Sequence, residues 1–225
     1  MFSPFQYSIR DVLMKLALVL SFLLLSLSVA AQTERGPNSV AESIYAQGFM
    51  LMQNGQYNDA KKHFILAIKM DSTDLNFYLS IAKIGYRTSN WTLADSIYTA
   101  AKKAFPDNSD IYMYAGDAYQ NQLKLKLAVD NYSKAIEINN NSNNPQLYLY
   151  HLGRGNSYLQ MKQYHKAILD YDKTLQLVPA FVDALTNRGV AKYYNKDKVG
   201  ACNDWKKALE NGNNAVDSYI KQYCN

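Results

Sequence analysis

The sequence repeats itself with a period of 34 residues, and this period constrains the fold more than any other feature. Five blocks, beginning at residues 41, 75, 109, 148 and 182, align with one another. Their eighth position holds a small residue, namely Gly48, Ala82, Gly116, Gly155 and Gly189. Their twenty-fourth position holds an aromatic residue, namely Phe64, Tyr98, Tyr132, Tyr171 and Trp205. Five blocks in phase predict a stack of one repeated structural unit.

Each block reads as two helices joined by a tight turn near its fifteenth position. Apolar residues fall at intervals of three and four, as in Ala60, Phe64, Ala67 and Ile68, which is the period of a helix and not of a strand. A small residue on the first helix leaves room for the ring on the second. Because one such hairpin cannot bury its apolar face alone, neighbouring hairpins are expected to stack.

The blocks resemble the tetratricopeptide repeat family, whose pattern has Gly or Ala at position 8, Tyr at 11, Ala at 20, an aromatic residue at 24 and often Pro at 32. Block four carries Gly155, Tyr158, Ala167, Tyr171 and Pro179 at these positions. Departures at position 11 are Leu51, Gly85 and Lys192, which are expected to weaken single repeats without changing the fold. The resemblance implies an all-α, right-handed α-solenoid of about five helix-turn-helix repeats with a C-terminal capping helix.

The predicted organisation follows the blocks. It consists of a signal peptide at 1–31, a short linker at 32–40, repeats at 41–74, 75–108, 109–142, 148–181 and 182–215, and a capping helix with the C-terminus at 216–225. An insertion at 143–147, next to a run of asparagines, separates repeats three and four. Asn and Pro favour turns, so a longer loop is expected there, with a recognition loop as the alternative.

The N-terminus has the pattern of a secretory signal peptide. Lys15 precedes an uncharged run of 16 residues, Leu16–Ala31, that closes in small residues. Cleavage is expected before Gln32, and the start at Met14 gives a more compact leader than Met1. The run is shorter than a usual membrane span, although an uncleaved anchor is the alternative. The chain is therefore expected to be periplasmic or secreted, with no stable membrane span after cleavage.

The two cysteines are Cys202 and Cys224. The run from Gly200 to Cys224 resembles the closing repeat of exported tetratricopeptide proteins of Gram-negative bacteria. Antiparallel neighbouring helices bring the two cysteines to similar levels, so an oxidising compartment favours a disulfide closing a loop of about 22 residues and contributing about 3 kcal/mol. The alternative is two small buried thiols.

The sequence offers no recognisable catalytic or metal site. His63, His151 and His165 show no i, i+4 spacing, and His151 is explained by packing. Asp170 and Asp172 are interpreted as solvated surface. No Gly-rich phosphate loop or nucleophile-elbow Ser is present, so no cofactor is expected and the chain is predicted not to be an enzyme. A net charge of +5 without a basic run disfavours nucleic acid.

The resemblance also implies a concave groove lined by the first helix of each repeat. The inward-facing candidates are Tyr45, Phe49, Lys83, Tyr86, Arg87, Met113, Asp117, Asn121, Asn156, Tyr193 and Tyr194, with Leu152 and Thr186 beside them. The competing interpretation of each tyrosine is packing between repeats. Tyr45 and Phe49 stand where family members that bind a terminal carboxylate have Lys and Asn, which disfavours that mode.

The leading hypothesis is a non-catalytic scaffold or adaptor of the cell envelope that holds a peptide or a partner helix in this groove. The alternatives are a permanently buried subunit of an envelope complex, and a solenoid that binds a small ligand in a deep pocket.

Overall fold

The structure is a computed structural model that describes residues 37–139 and 144–224. These residues form ten helices of 13 to 17 residues, a short 3-10 turn and a last short helix, and the described ranges contain no β-strand. The helices are α1 Pro37–Gln53, α2 Tyr57–Met70, α3 Leu75–Arg87, α4 Trp91–Ala104, α5 Ser109–Asn121, α6 Leu125–Asn139, α7 Leu147–Gln160, α8 Tyr164–Leu177, α9 Val182–Tyr194, α10 Lys198–Glu210 and α11 Asp217–Tyr223. The 3-10 turn is Asn214–Val216.

The described residues form two compact units, one ending at Phe77 and the other beginning at Tyr78. In the first unit, α1 packs against α2. In the second unit, α5 packs against α6, α7 against α8 and α9 against α10, and consecutive pairs also touch through α6 with α7 and α8 with α9. The helices of each unit are therefore arranged as consecutive packed pairs, as the period predicts.

The turn inside each pair has the same backbone conformation in all five blocks. The residue at the fifteenth position has a positive φ, and these residues are Gly55, Ser89, Leu123, Lys162 and Lys196. The next amide donates back to the carbonyl of position 11, as in Lys124 to Tyr119 at 2.9 Å. This is a Schellman-type helix end, which satisfies a carbonyl that the finished helix leaves free.

The contact between a small residue and a ring is the core of each pair. A Cβ added to Gly48 would lie 2.8 Å from the Phe64 ring, and one added to Gly116 would lie 2.8 Å from the Tyr132 ring. Phe64 and Tyr132 are fully buried. The glycines are therefore required because the rings of the second helices fill the space that a Cβ would occupy.

Two boundaries differ from the prediction. Helix α1 begins at Pro37, inside the expected linker 32–40, because proline is well suited to the first turn of a helix, where its missing N–H is not needed. Helix α7 begins at Leu147, the last residue of the expected insertion. The predicted signal peptide, 1–31, and Asn143 lie outside the described residues.

The C-terminal segment closes the last pair. Val216 is buried against the core that contains Trp205 and Ala208. A disulfide joins Cys202 in α10 to Cys224, directly after α11, with 5.7 Å between the two Cα atoms. The covalent bond therefore attaches the end of the chain to the helix on which it packs.

Candidate functional site

The second unit contains a cavity of about 520 Å³ between α3, α4 and α5. It is lined by Leu79, Lys83, Tyr86, Tyr98, Tyr114, Asp117, Ala118 and Asn121. Four of the residues predicted for the groove, Lys83, Tyr86, Asp117 and Asn121, therefore meet at one place. Its size lies within the range of about 300–1,000 Å³ that is usual for ligand pockets.

Helix α3 supplies one wall of the cavity. Lys83 and Tyr86 are three residues apart and Arg87 lies one turn beyond Lys83, so the three share one exposed face of the helix. The opposite face, with Ile81 and Ile84, is buried. Neither Lys83 nor Arg87 forms an ion pair within the described part of the chain. The wall therefore presents two positively charged groups without a salt bridge in the described part of the chain.

Helix α5 supplies the facing wall. Asp117 Oδ1 accepts a hydrogen bond of 2.5 Å from the Tyr132 hydroxyl, and Asn121 Nδ2 donates to the Asp117 carbonyl at 2.8 Å. Although Asp117 is accessible to solvent, surrounding protein desolvates its carboxylate and raises its pKa, and the hydrogen bond from Tyr132 offsets this only in part. The wall combines a carboxylate that is costly to ionise with an amide.

Two tyrosines of the cavity were missed by the sequence interpretation. Tyr114 is at the sixth position of its repeat and its side chain is exposed. Tyr98 is at the twenty-fourth position, where the aromatic residue was assigned to packing, and it is 8% exposed. Burial raises the pKa of Tyr98, and the nearby charge of Asp117 adds to this effect. The ninth position could have pointed to Tyr98. It holds an acceptor in the next two repeats, Asp117 and Asn156, but a lysine, Lys83, in the repeat of Tyr98.

Met113 does not belong to a binding surface. It is 7% exposed and packs in a core cluster with Tyr132 and Tyr150. The expectation that it lines the groove is wrong, because the fifth position of this repeat faces the adjacent helix pair.

The two candidates in the first unit lie in an aromatic cluster. The ring centroid of Tyr45 is 5.3 Å from that of Phe64 and 5.0 Å from that of Phe77, and Phe49 is 6.3 Å away. The side chains of Tyr45 and Phe49 are half-buried. The contacts favour the competing interpretation of Tyr45 as a packing residue.

Contacts within the second unit engage three other predicted positions, two through hydrogen bonds and one through packing. Asn156 Oδ1 accepts from the Tyr171 hydroxyl at 2.8 Å and from Asn187 Nδ2 at 3.0 Å. Thr186 Oγ1 donates to the Val182 carbonyl at 2.9 Å. Leu152 packs against the last core cluster. These side chains support the structure and leave little polar capacity for a partner.

Tyr193 and Tyr194 lie at a second, smaller cavity of about 100 Å³ near the C-terminus. The Tyr193 ring is 4.6 Å from the Tyr223 ring and also packs near Trp205. Tyr194 is 59% exposed and stacks on Tyr164 at 5.3 Å. Tyr193 is thus mainly a packing residue, whereas Tyr194 remains accessible.

A buried ion pair lies within each of repeats four and five, and the pair in repeat four corrects the interpretation of Asp170 as solvated surface. Asp170 is 4% exposed, receives two hydrogen bonds of 2.7 and 2.8 Å from Arg154, and lies 3.0 Å from His151 Nδ1. His151 is therefore a polar partner as well as a packing residue. Burial raises the pKa of Asp170, but the hydrogen bonds from Arg154 and His151 outweigh it, so the pKa is lowered overall.

The same arrangement recurs one repeat later. Arg188 donates to Asp204 at 2.6 and 2.8 Å, and it reaches back to Asp172 on α8 at 2.7 Å. Arg154 likewise reaches back to Ser133 on α6 at 3.0 Å. Each arginine thus links the two helices of its own pair to the preceding pair.

No three His, Cys, Asp or Glu side chains in the described ranges are placed to hold a metal ion.

Residues 41–74 match the family model of the tetratricopeptide repeat. Among solved structures, the chain is similar to PilF of Pseudomonas aeruginosa, with a TM-score of 0.68 and 18% identity over 83% of this chain and 82% of that one. It is also similar to PilW, described as a widely conserved type IV pilus biogenesis factor, with a TM-score of 0.63 and 18% identity over 77% and 78% of the two chains. A third is YrrB, a tetratricopeptide protein with an unusual peptide-binding site, at 0.64 and 18% over 80% and 90%.

Two curated relatives are far longer than the matched region. A UDP-N-acetylglucosamine–peptide N-acetylglucosaminyltransferase of Giardia intestinalis is 27% identical over 174 residues, which is 74% of this chain and 11% of the relative. The small glutamine-rich tetratricopeptide repeat-containing protein 2 of Saccharomyces cerevisiae is 25% identical over 115 residues, 51% of this chain and 32% of the relative. The matches confirm the predicted fold class and the resemblance to tetratricopeptide proteins. None of the helices in the described ranges has the length and apolar character needed to cross a membrane.

Proposed function

We propose that this tetratricopeptide repeat protein is a non-catalytic scaffold of the cell envelope that binds a segment of a partner polypeptide at the cavity between α3, α4 and α5. The observation that carries the proposal is the cavity itself, about 520 Å³ in volume, where predicted groove residues from two helices converge. A peptide-binding scaffold needs no more than such a surface.

The chemistry of the walls suits a polypeptide. Tyr86 and Tyr114 have exposed rings that offer contact area at a low cost in conformational entropy. Lys83 and Asn121 add polar groups that hydrogen-bond to a peptide backbone or side chain. A mixture of rigid aromatic and adaptable polar groups is typical of surfaces that recognise proteins.

The absence of catalysis is inferred from the kind of groups that converge. The carboxylate of Asp117 already accepts a hydrogen bond from Tyr132, and the described residues that line the cavity include no Ser, Cys or His. Nucleophilic catalysis requires a nucleophile beside a base. The transferase relative shares only 11% of its length with this chain, so its reaction is not transferred.

Three observations support the envelope as the compartment. Residues 1–31 have the pattern of a signal peptide, and disulfides such as Cys202–Cys224 persist mainly in oxidising compartments. The fold is similar to that of PilW, whose description places it in type IV pilus biogenesis. The proposed partner is therefore a polypeptide of the same compartment.

Site-specific crosslinking tests the proposal. A photoreactive amino acid is placed at Tyr86 in the exported chain, and at Tyr194 as a matched exposed tyrosine outside the cavity. We expect a crosslink to one polypeptide from Tyr86 that is lost when Asn121→Ala and Tyr114→Ala are added. A partner that crosslinks from Tyr194 and is unaffected by the cavity variants would place binding elsewhere.

A further inference from the structure

Tyrosines at the twenty-fourth position follow a rule in repeats three and four. Tyr132 donates its hydroxyl to Asp117, and Tyr171 donates to Asn156. Asp117 and Asn156 both occupy the ninth position of their own repeats. The ninth residue of the first helix is therefore the built-in acceptor for the tyrosine on the second helix.

Repeat two departs from this rule. Its tyrosine is Tyr98, and its ninth residue is Lys83, whose ammonium group has no lone pair to accept a hydrogen bond. Tyr98 is 8% exposed, and its hydroxyl makes no hydrogen bond to any described residue. The hydroxyl borders the cavity and is accessible from it, so its donor is available to a ligand.

Tyr98 and Lys83 both line the cavity, and neither side chain donates a hydrogen bond to a described residue. Arg87, one helical turn from Lys83, adds a second positive charge at its edge. We propose, building on the proposed function, that Tyr98 and Lys83 together bind the carboxylate of an Asp or Glu side chain of the partner polypeptide. A carboxylate only accepts hydrogen bonds, and it has two oxygens to receive one bond from each donor.

Asp117 shares the cavity and opposes a second negative charge. Its Oδ1 is already engaged by Tyr132, and desolvation raises its pKa. The bound carboxylate is therefore placed on the α3 side, beside Lys83 and away from α5. This arrangement predicts that removal of the charge of Asp117 strengthens binding of an acidic ligand.

The experiment is a selection from a random peptide display library with the exported, oxidised chain as the target. We expect peptides enriched in Asp or Glu. The best peptide is then compared with its counterpart carrying Gln or Asn in place of the acidic residue, by fluorescence anisotropy. The wild type should prefer the acidic peptide by about tenfold, the amount that one charge-assisted hydrogen bond contributes.

The variants identify the groups responsible. Lys83→Met should abolish the preference and Tyr98→Phe should reduce it, while Lys83→Arg should keep it and Asp117→Asn should increase it. Lys83 is exposed, so its variants are expected to fold, and unfolding curves verify this for all four. Because the comparison is between two peptides on the same protein, a small loss of stability does not imitate the result.

The possible outcomes separate the acidic site from the proposed function. Peptides that bind at the cavity without an acidic preference, or whose preference survives Lys83→Met, overturn the acidic site and leave the proposed function intact. A library that yields no peptide competing with a Tyr86 crosslink overturns both.

Discussion

Tyr132 and Tyr98 occupy the same position in successive repeats. The Tyr132 side chain is enclosed by neighbouring residues, whereas the Tyr98 side chain borders an open cavity. The Tyr132 ring fits between Gly116 and Gly153, and its hydroxyl reaches Asp117. Around Tyr98, the position of Gly153 is taken by Tyr114, and the position of Asp117 is taken by Lys83. Gly153 and Asp117 enclose the Tyr132 ring and its hydroxyl. Tyr114 and Lys83 instead line a cavity together with Tyr98, and neither Lys83 nor Tyr98 donates a hydrogen bond to a described residue.

The difference illustrates how one repeat of a repeated fold can carry a candidate site. The fold requires a ring at position 24 and a small residue at position 8, and both repeats supply them. Position 9 of the same repeat and position 6 of the next differ between repeats two and three, and these residues decide what surrounds the ring. The proposed site therefore lies where repeat two departs from its neighbours, and not where the repeats agree.

The largest expected effect on stability comes from breaking the buried ion pair between Arg154 and Asp170 in repeat four. Arg154→Met removes the partner that donates two hydrogen bonds to the buried carboxylate of Asp170. Because Asp170 then keeps only His151, we expect the free energy of unfolding to fall by about 3–5 kcal/mol, measured by urea unfolding. The double variant Arg154→Met, Asp170→Asn should recover part of the loss. A loss below about 1 kcal/mol would mean that the pair behaves as a surface salt bridge.

The next effect comes from changing the glycine that seals Tyr132. A Cβ added by Gly153→Ala would lie 2.5 Å from the Tyr132 ring, too close for either to remain in place. The clash outweighs the better helix propensity of Ala, and we expect a loss of about 1–3 kcal/mol in unfolding experiments. Tyr114→Ala at the equivalent open position is the control and should cost less. Equal losses in the free energy of unfolding for the two variants would contradict the difference in packing between Tyr132 and Tyr98.

The two tyrosine hydroxyls offer a matched comparison. Tyr132→Phe breaks a hydrogen bond to a carboxylate and should cost about 1–2 kcal/mol. Tyr98→Phe breaks no hydrogen bond to a described residue and should change the free energy of unfolding by less than about 0.5 kcal/mol. Both are measured under the same conditions. A cost for Tyr98→Phe as large as that for Tyr132→Phe would show that its hydroxyl has an acceptor in the free protein.

The acidic residues of the two regions should respond to pH with opposite signs. The folded state raises the pKa of Asp117, so its contribution is most favourable at low pH and is lost as the pH rises through the folded pKa. Asp117→Asn should therefore be more stable than the wild type near neutral pH, with the advantage shrinking on acidification. The folded state lowers the pKa of Asp170, so Asp170→Asn should be less stable near neutral pH, with a deficit that shrinks on acidification. Urea unfolding between about pH 3 and pH 7 tests both, and slopes of the same sign would contradict the assignment.

Much of the fold and part of the site could be predicted from the sequence. The small residue and the ring recur in every block, so the helix pairs and the Gly116 contact with Tyr132 were accessible. Lys83 and Asp117 were assigned to a common surface because their positions in the repeat imply it. Met113 was assigned wrongly because the same rule ignores how deeply each helix packs.

The buried ion pairs were missed for a different reason. Arg154 and Asp170 are sixteen residues apart, on the two helices of one pair, so neither helix alone reveals the partner. The spacing recurs in Arg188 and Asp204, and this recurrence was the signal available in the sequence. The structural role of these carboxylates follows from their burial, and burial becomes visible only once the helices are packed together.

The smallest expected effect on stability tests the comparison most directly, because one substitution gives Tyr98 the kind of hydrogen-bond acceptor that Tyr132 and Tyr171 already have. Lys83→Asn gives repeat two the acceptor that Asn156 provides for Tyr171. If Tyr98 then donates to the new amide oxygen, the free energy of unfolding should rise by about 0.5–1 kcal/mol, the net value of one neutral hydrogen bond. The gain must disappear in the Tyr98→Phe background, which a double-mutant cycle measures directly. A gain that persists without the hydroxyl, or that Lys83→Ala reproduces, would come from removing the lysine and not from satisfying Tyr98. Because the same substitution fills the acceptor position and removes the ammonium group, it should also end the preference for acidic peptides, so that stability and binding change in opposite directions at one residue.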